Sequence, residues 1–227
     1  MRVLILSWCL TVSAYAADDV RHLGPVTGIA VTQNTVYSCS QAGVLRNDGD
    51  STTFAQVVRP EFRVIDVVVL SDKQLAICGG RPGASGIVGI VDRESGELNT
   101  LTLSKDLVYA AAISPSKGFL AAACADGQLM LLGLPLDPSK APVLVHKHTA
   151  AARAVAFSPD GGFLISGGLD GVLLTTPLDE SGTISGETRV LQEHTAGIEC
   201  LAFSPDGKQI ASGARDSKVR LHSTNGR

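Results

Sequence analysis

The chain has 227 residues, 44% of them hydrophobic, 18% charged and only 4% aromatic, which excludes collagen-like, coiled-coil and disordered chains and suits one globular domain. Nineteen basic against 22 acidic side chains give a formal charge of -3 with no long run of either sign, so neither a nucleic-acid footprint nor a polybasic membrane patch is present. Past the N-terminus, apolar residues come in bursts of about five to eight, too short for membrane insertion.

Residues 1–16 read as an export signal. Arg2 supplies the charge, residues 3–10 the apolar run and Ala14-Tyr15-Ala16 the small-x-small cleavage site. Cys9 follows Trp8, where lipid attachment requires a small residue. The expected product is a free periplasmic or extracellular protein comprising residues 17–227. It lacks tryptophan and keeps Cys39, Cys78, Cys124 and Cys200, which lie in apolar runs without metal-ligand or haem-attachment spacing. Buried thiols inside strands are expected, although export also permits disulfides.

The rest of the chain repeats. Its units are anchored at Val31 (Ala30-Val31-Thr32-Gln33), Leu70 (Val69-Leu70-Ser71-Asp72), Ile113 (Ala112-Ile113-Ser114-Pro115), Phe157 and Phe203, at spacings of 39, 43, 44 and 46 residues. The last two carry one phrase in full, 156–161 and 202–207, Ala-Phe-Ser-Pro-Asp-Gly. Within the fourth unit an apolar run (154–157) meets a Ser-Pro-Asp-Gly turn, a second run (163–166) an Asp-Gly turn (170–171), and a third run follows (172–175). Pro fixes the first turn position, Asp bonds back to the backbone and Gly accepts the positive φ of a tight hairpin, so each unit is an antiparallel meander. Runs that are apolar on both faces require cover on both, which sheets stacked around an axis supply.

These residues resemble the WD-repeat β-propeller family, an all-β fold of four-stranded antiparallel blades. His22, His148 and His194 stand nine residues before their anchors, where that family places a histidine; Asp126, Asp170 and Asp216 match its tight-turn Asp, and Ser166 and Ser212 its strand Ser/Thr. The family's Trp falls on Val91, Leu132, Thr176 and His222. The resemblance implies a hydrogen-bonded set inside a blade, with His148, Ser166 and Asp170 in the fourth unit and His194, Ser212, Asp216 and His222 in the fifth. A buried carboxylate needs such partners. The longer Gly79 to Gly86 turn of the second unit is similar to that of secreted bacterial WD-repeat proteins sometimes fused to c-type cytochrome domains. It lacks the Lys-Ser/Thr of a phosphate loop.

Five units fit either a closed five-bladed ring or part of a larger propeller completed elsewhere, with self-association if the ring is open. Residues 17–21 precede His22 as 189–193 precede His194 and offer a strand for the last unit. The positions four residues before each anchor, Thr27, Asp66, Tyr109, Arg153 and Glu199, are expected on one rim. Two acids interrupted by Arg and Tyr make a poor cation site. His146-x-His148 has strand spacing, but the blade set claims His148. No catalytic elbow, metal site or cofactor motif emerges. The expected function is an exported, non-catalytic scaffold binding a protein or peptide through the rim residues, with Arg81 on a second contact loop. The alternative is a periplasmic propeller enzyme, hydrolase- or lactonase-like, or a redox subunit partnering a c-type cytochrome.

Overall fold

The computed structural model describes residue 22 and residues 24–49, 54–179 and 181–224; the export signal and the candidate strand at 17–21 lie outside them. Among the described residues, nineteen strands form five antiparallel sheets, each a meander in chain order. Blade I holds β1 (Gly28–Val31), β2 (Thr35–Ser40), β3 (Gly43–Asp48) and β4 (Ala55–Val58). Blade II holds β5 (Arg63–Val69), β6 (Gln74–Arg81), β7 (Ser85–Asp92) and β8 (Leu98–Ser104). Blade III holds β9 (Val108–Ile113), β10 (Phe119–Cys124), β11 (Gln128–Gly133) and β12 (Val143–Lys147). Blade IV holds β13 (Ala152–Phe157), β14 (Phe163–Gly168), β15 (Val172–Pro177) and β16 (Arg189–Glu193), and blade V β17 (Ile198–Phe203), β18 (Gln209–Ala214) and β19 (Val219–Ser223).

The repeated turn phrase builds the first hairpin of a blade. Ser158 Oγ donates to Asp160 Oδ1 at 2.6 Å and accepts from Phe163 N at 2.9 Å, while Gly161 takes φ +78°. Ser204, Asp206, Gln209 and Gly207 repeat that geometry in blade V. In blade III, Lys117 adopts φ +58° where these turns use Gly. The second hairpins of blades III and IV need glycine more strictly, since a Cβ on Gly127 or Gly171 would lie 2.5 or 2.6 Å from the carbonyl oxygen of His148 or His194.

Each blade interface joins one face of a sheet to the opposite face of the next. Tyr37, Cys39 and Val44 of blade I pack on Val67, Leu75 and Ile77 of blade II. Ala76, Cys78 and Val88 of blade II pack on Ala111, Leu120 and Ala122 of blade III, and Ala121, Ala123 and Leu129 of blade III on Val155, Phe157 and Leu164 of blade IV. Ile165 and Leu173 of blade IV meet Ile198 and Ile210 of blade V. Inner strands β1, β5, β9, β13 and β17 stand side by side in that order, and among the described residues no comparable packing joins β17 to β1. In these residues the propeller is therefore an arc of five blades.

Candidate functional site

In blade IV the expected set forms. Asp170 accepts from His148 Nδ1 at 3.1 Å, from Thr149 N at 2.9 Å and from Val172 N at 3.1 Å, and His148 Nε2 meets Ser166 Oγ at 2.7 Å. Burial alone would raise the Asp170 carboxyl, but these N–H groups and His148 outweigh it and hold it below its ordinary value. The set extends further than the resemblance implies. Ser166 Oγ also meets His146 Nε2 at 2.6 Å, His146 Nδ1 meets Thr176 Oγ1 at 2.9 Å, and Thr176 meets Thr188 Oγ1 at 2.7 Å. The carboxylate sets the polarity: His148 donates from Nδ1, accepts at Nε2 from Ser166, and Ser166 in turn accepts from His146. The short side chain of Thr176 occupies the family's Trp position, and the imidazole of His146 fills the donor role there.

Blade V solves the same problem with a residue at the Trp position itself. His194 bonds Asp216 at 3.0 Å through Nδ1 and Ser212 at 2.7 Å through Nε2, and His222 Nε2 reaches Ser212 Oγ at 2.8 Å. Arg220 bonds Asp216 at 2.6 Å, also lying against His194 Nδ1, and holds that carboxyl far below the ordinary range. Blades I and III are partial. His22 Nε2 bonds Ser38 Oγ at 2.8 Å, but the following turn, Ser40 to Gly43, has no Asp. Asp126 departs from expectation: it accepts from Gln128 N at 3.1 Å and caps its turn, because Ser104 stands in the histidine's place and donates to the Asp106 carbonyl.

The rim residues divide. β-Bulges leave Tyr109, Arg153 and Glu199 opposite no partner residue on the neighbouring strand. These three meet: the Arg153 guanidinium lies 4.2 Å above the Tyr109 ring and donates to Glu199 Oε2 at 2.8 and 3.0 Å, and Glu199 Oε1 accepts from Arg215 Nε at 2.5 Å. Asp66 is a correction to the offset rule. In blade II, Val69 pairs with Leu75, so the register runs one residue earlier and Ile65 takes the bulge. Asp66 instead turns between blades, accepting from Val67 N at 2.9 Å and Ala111 N at 3.1 Å, and burial pushes its carboxyl up to about 6. Thr27 also turns inward, its Oγ1 3.5 Å from the carbonyls of Cys39 and Val64. Arg81 is exposed on the β6–β7 hairpin, donating to the Glu61 carbonyl at 3.3 Å.

The thiols correct a second expectation. Cys39, Cys78 and Cys124 are free and buried, whereas Cys200 is free and exposed, because among the described residues no sheet covers its face of blade V. Burial pushes the Cys39 and Cys124 thiols up to about 12.

Stacked four-stranded meanders joined by such networks define a β-propeller protein. The family model described as WD domain, G-beta repeat matches residues 141–174 and 185–223, so these two stretches carry WD-type repeats. Each matched stretch begins on the outer strand of one blade, β12 or β16, and continues through the inner strands of the next, so repeat and blade are offset by one strand. No curated protein matches the chain.

Proposed function

We propose that this chain is an exported, non-catalytic interaction scaffold that binds a protein or peptide through the rim cluster of Tyr109, Arg153, Glu199 and Arg215. WD-repeat propellers mediate protein–protein interactions, and one observation points to this part of the rim. Bulges on three successive blades bring together an aromatic ring, a guanidinium stacked on it and a carboxylate shared by two arginines. Tyr and Arg are the residue types most enriched at binding hot spots, and mutual contacts that hold them in place reduce the ordering cost of binding. Thr27 and Asp66 are engaged between blades and contribute through that packing, and Arg81 stands as a separate exposed contact. Export rests on the sequence of residues 1–16.

The test is capture from the native envelope fraction by wild type and by Tyr109→Ala/Arg153→Ala, after matched melting curves. A partner retained by wild type and lost by the double variant supports the reading. Equal recovery overturns the rim assignment.

A further inference from the structure

Blade-to-blade packing follows one rule along the chain, and among the described residues both ends of the arc leave it unfilled. On the face that receives the preceding blade, Val64, Val108, Ala152 and Ile198 occupy one equivalent position and are fully buried, whereas Val26 at that position in blade I is 37% exposed. Two further rows behave alike. Ile29 is 43% exposed where Val67, Ala111 and Val155 are buried, and Val31 is 58% exposed where Phe157 is buried.

The opposite face of blade V mirrors this. Val219 and Leu221 are 65% and 67% exposed, yet Leu129, Leu131 and Leu173, on the corresponding faces of blades III and IV, are buried by the next blade. Exposed Cys200 lies on that same face, and β19 carries no fourth strand among the described residues, unlike the third strand of every other blade. Two apolar rows are thus left in water, that of β1 in blade I, whose neighbours Ser38, Ser40 and Leu45 on the same face are buried, and that of blade V, and such rows mark an interaction surface.

We propose that the uncovered face of blade V docks on the uncovered face of blade I of a second copy of this chain, head to tail. The occupant follows from continuity with the four interfaces already formed. Each joins this face of one blade to that face of the next, and the only face of the receiving kind left uncovered among the described residues is that of blade I. Branched side chains of Val26, Ile29 and Val31 then meet a surface of Val219, Leu221 and the small residues Cys200, Ala202, Ala211 and Gly213, as Ile198 meets Gly167 in the interface of blades IV and V. Neither row contains a charge. The contact is heterologous, so an open assembly of any length retains one free face of each kind until it closes.

Sedimentation velocity on the full chain across a concentration series tests this, with Ile29→Glu/Val31→Glu, with Val219→Glu/Leu221→Glu and with their equimolar mixture. The expected result is a wild-type mass that rises with concentration to at least twice that of a single chain, each variant remaining a single chain, and the mixture forming one-to-one pairs through its one intact pair of faces. A single-chain mass for wild type at every concentration overturns the proposal. So does assembly of either variant as for wild type, or a mixture that stays unpaired. Melting curves establish folding of each variant, and Val219→Ser/Leu221→Ser replaces the Glu pair if that variant is unfolded. Rim binding and head-to-tail assembly use different residues, so failure of one leaves the other standing.

Discussion

The rings of His146 and His148 stand edge to face, 5.6 Å apart at 74°, and both direct Nε2 at the hydroxyl of Ser166. One hydroxyl donates to the first ring it serves and accepts from the other. Removing it by Ser166→Ala leaves two ring nitrogens of a partly dry interior without partners, each costing about 1 to 3 kcal/mol. Urea midpoints of Ser166→Ala are expected well below those of wild type, while Lys208→Ala at an exposed turn position is neutral. Equal midpoints for the two variants would remove the network as a source of stability.

His146 also makes the fold acid-sensitive. Burial, with His148 adding, lowers it from the ordinary 6.5 to about 4. Between these values the unfolded chain holds a proton that the folded chain does not, so stability falls as pH drops through that window, on the order of 3 kcal/mol. His22 and His222, lowered by burial, act in the same direction. Asp66 opposes them: its folded value is raised from 3.8 to about 6, so the folded chain binds the extra proton and acid adds stability there. Denaturation across pH 4 to 6.5 is expected to show a shallower acid loss for His146→Asn and a steeper one for Asp66→Asn. Identical slopes in both variants would contradict the two assignments.

Turn chemistry yields shifts of opposite sign at equivalent sites. Gly171 and Ser217 each follow a network aspartate, and both take positive φ, +79° and +60°. At Gly171 an added Cβ meets the His194 carbonyl oxygen at 2.6 Å, so Gly171→Ala adds strain and lowers the melting temperature. At Ser217 the left-handed backbone already costs about 1 to 2 kcal/mol. Ser217→Gly relieves it, less the roughly 0.5 to 1 kcal/mol of extra chain entropy that glycine loses on folding. Differential scanning calorimetry should show a lower midpoint for the first variant and a slightly raised one for the second.

What the sequence disclosed tracks how strongly local chemistry constrains each position. Ser-Pro-Asp-Gly turns and the histidine-to-aspartate spacing act over a few residues or recur at fixed intervals, so the blades and the sets of Asp170 and Asp216 were legible. Asp66 was misplaced because the hairpin after Val69 is shorter, and a one-residue change of register redirects a side chain. The role of His146 depends on Thr176 being too short to reach Ser166, a relation across blades signalled only by the eroded Trp position. Exposure of Cys200 depends on what covers a sheet face, which an apolar strand pattern does not encode.

That exposure gives a count that also tests the export signal. Cys200 lies on an uncovered face, while Cys39, Cys78 and Cys124 are enclosed between blades. Burial raises the thiol of Cys200 as well, so its reaction is slow at neutral pH but not blocked. Dilute folded protein recovered from the envelope is expected to consume one equivalent of a maleimide, and denatured protein four. Cleavage after Ala16 removes Cys9; if residues 1–16 remained, the denatured count would be five. An intact mass matching residues 17–227 should accompany the count of four. Full labelling in the folded state at the rate seen in denaturant would mean that the three inner thiols are not enclosed, and would undo the packing of blades I to III described above.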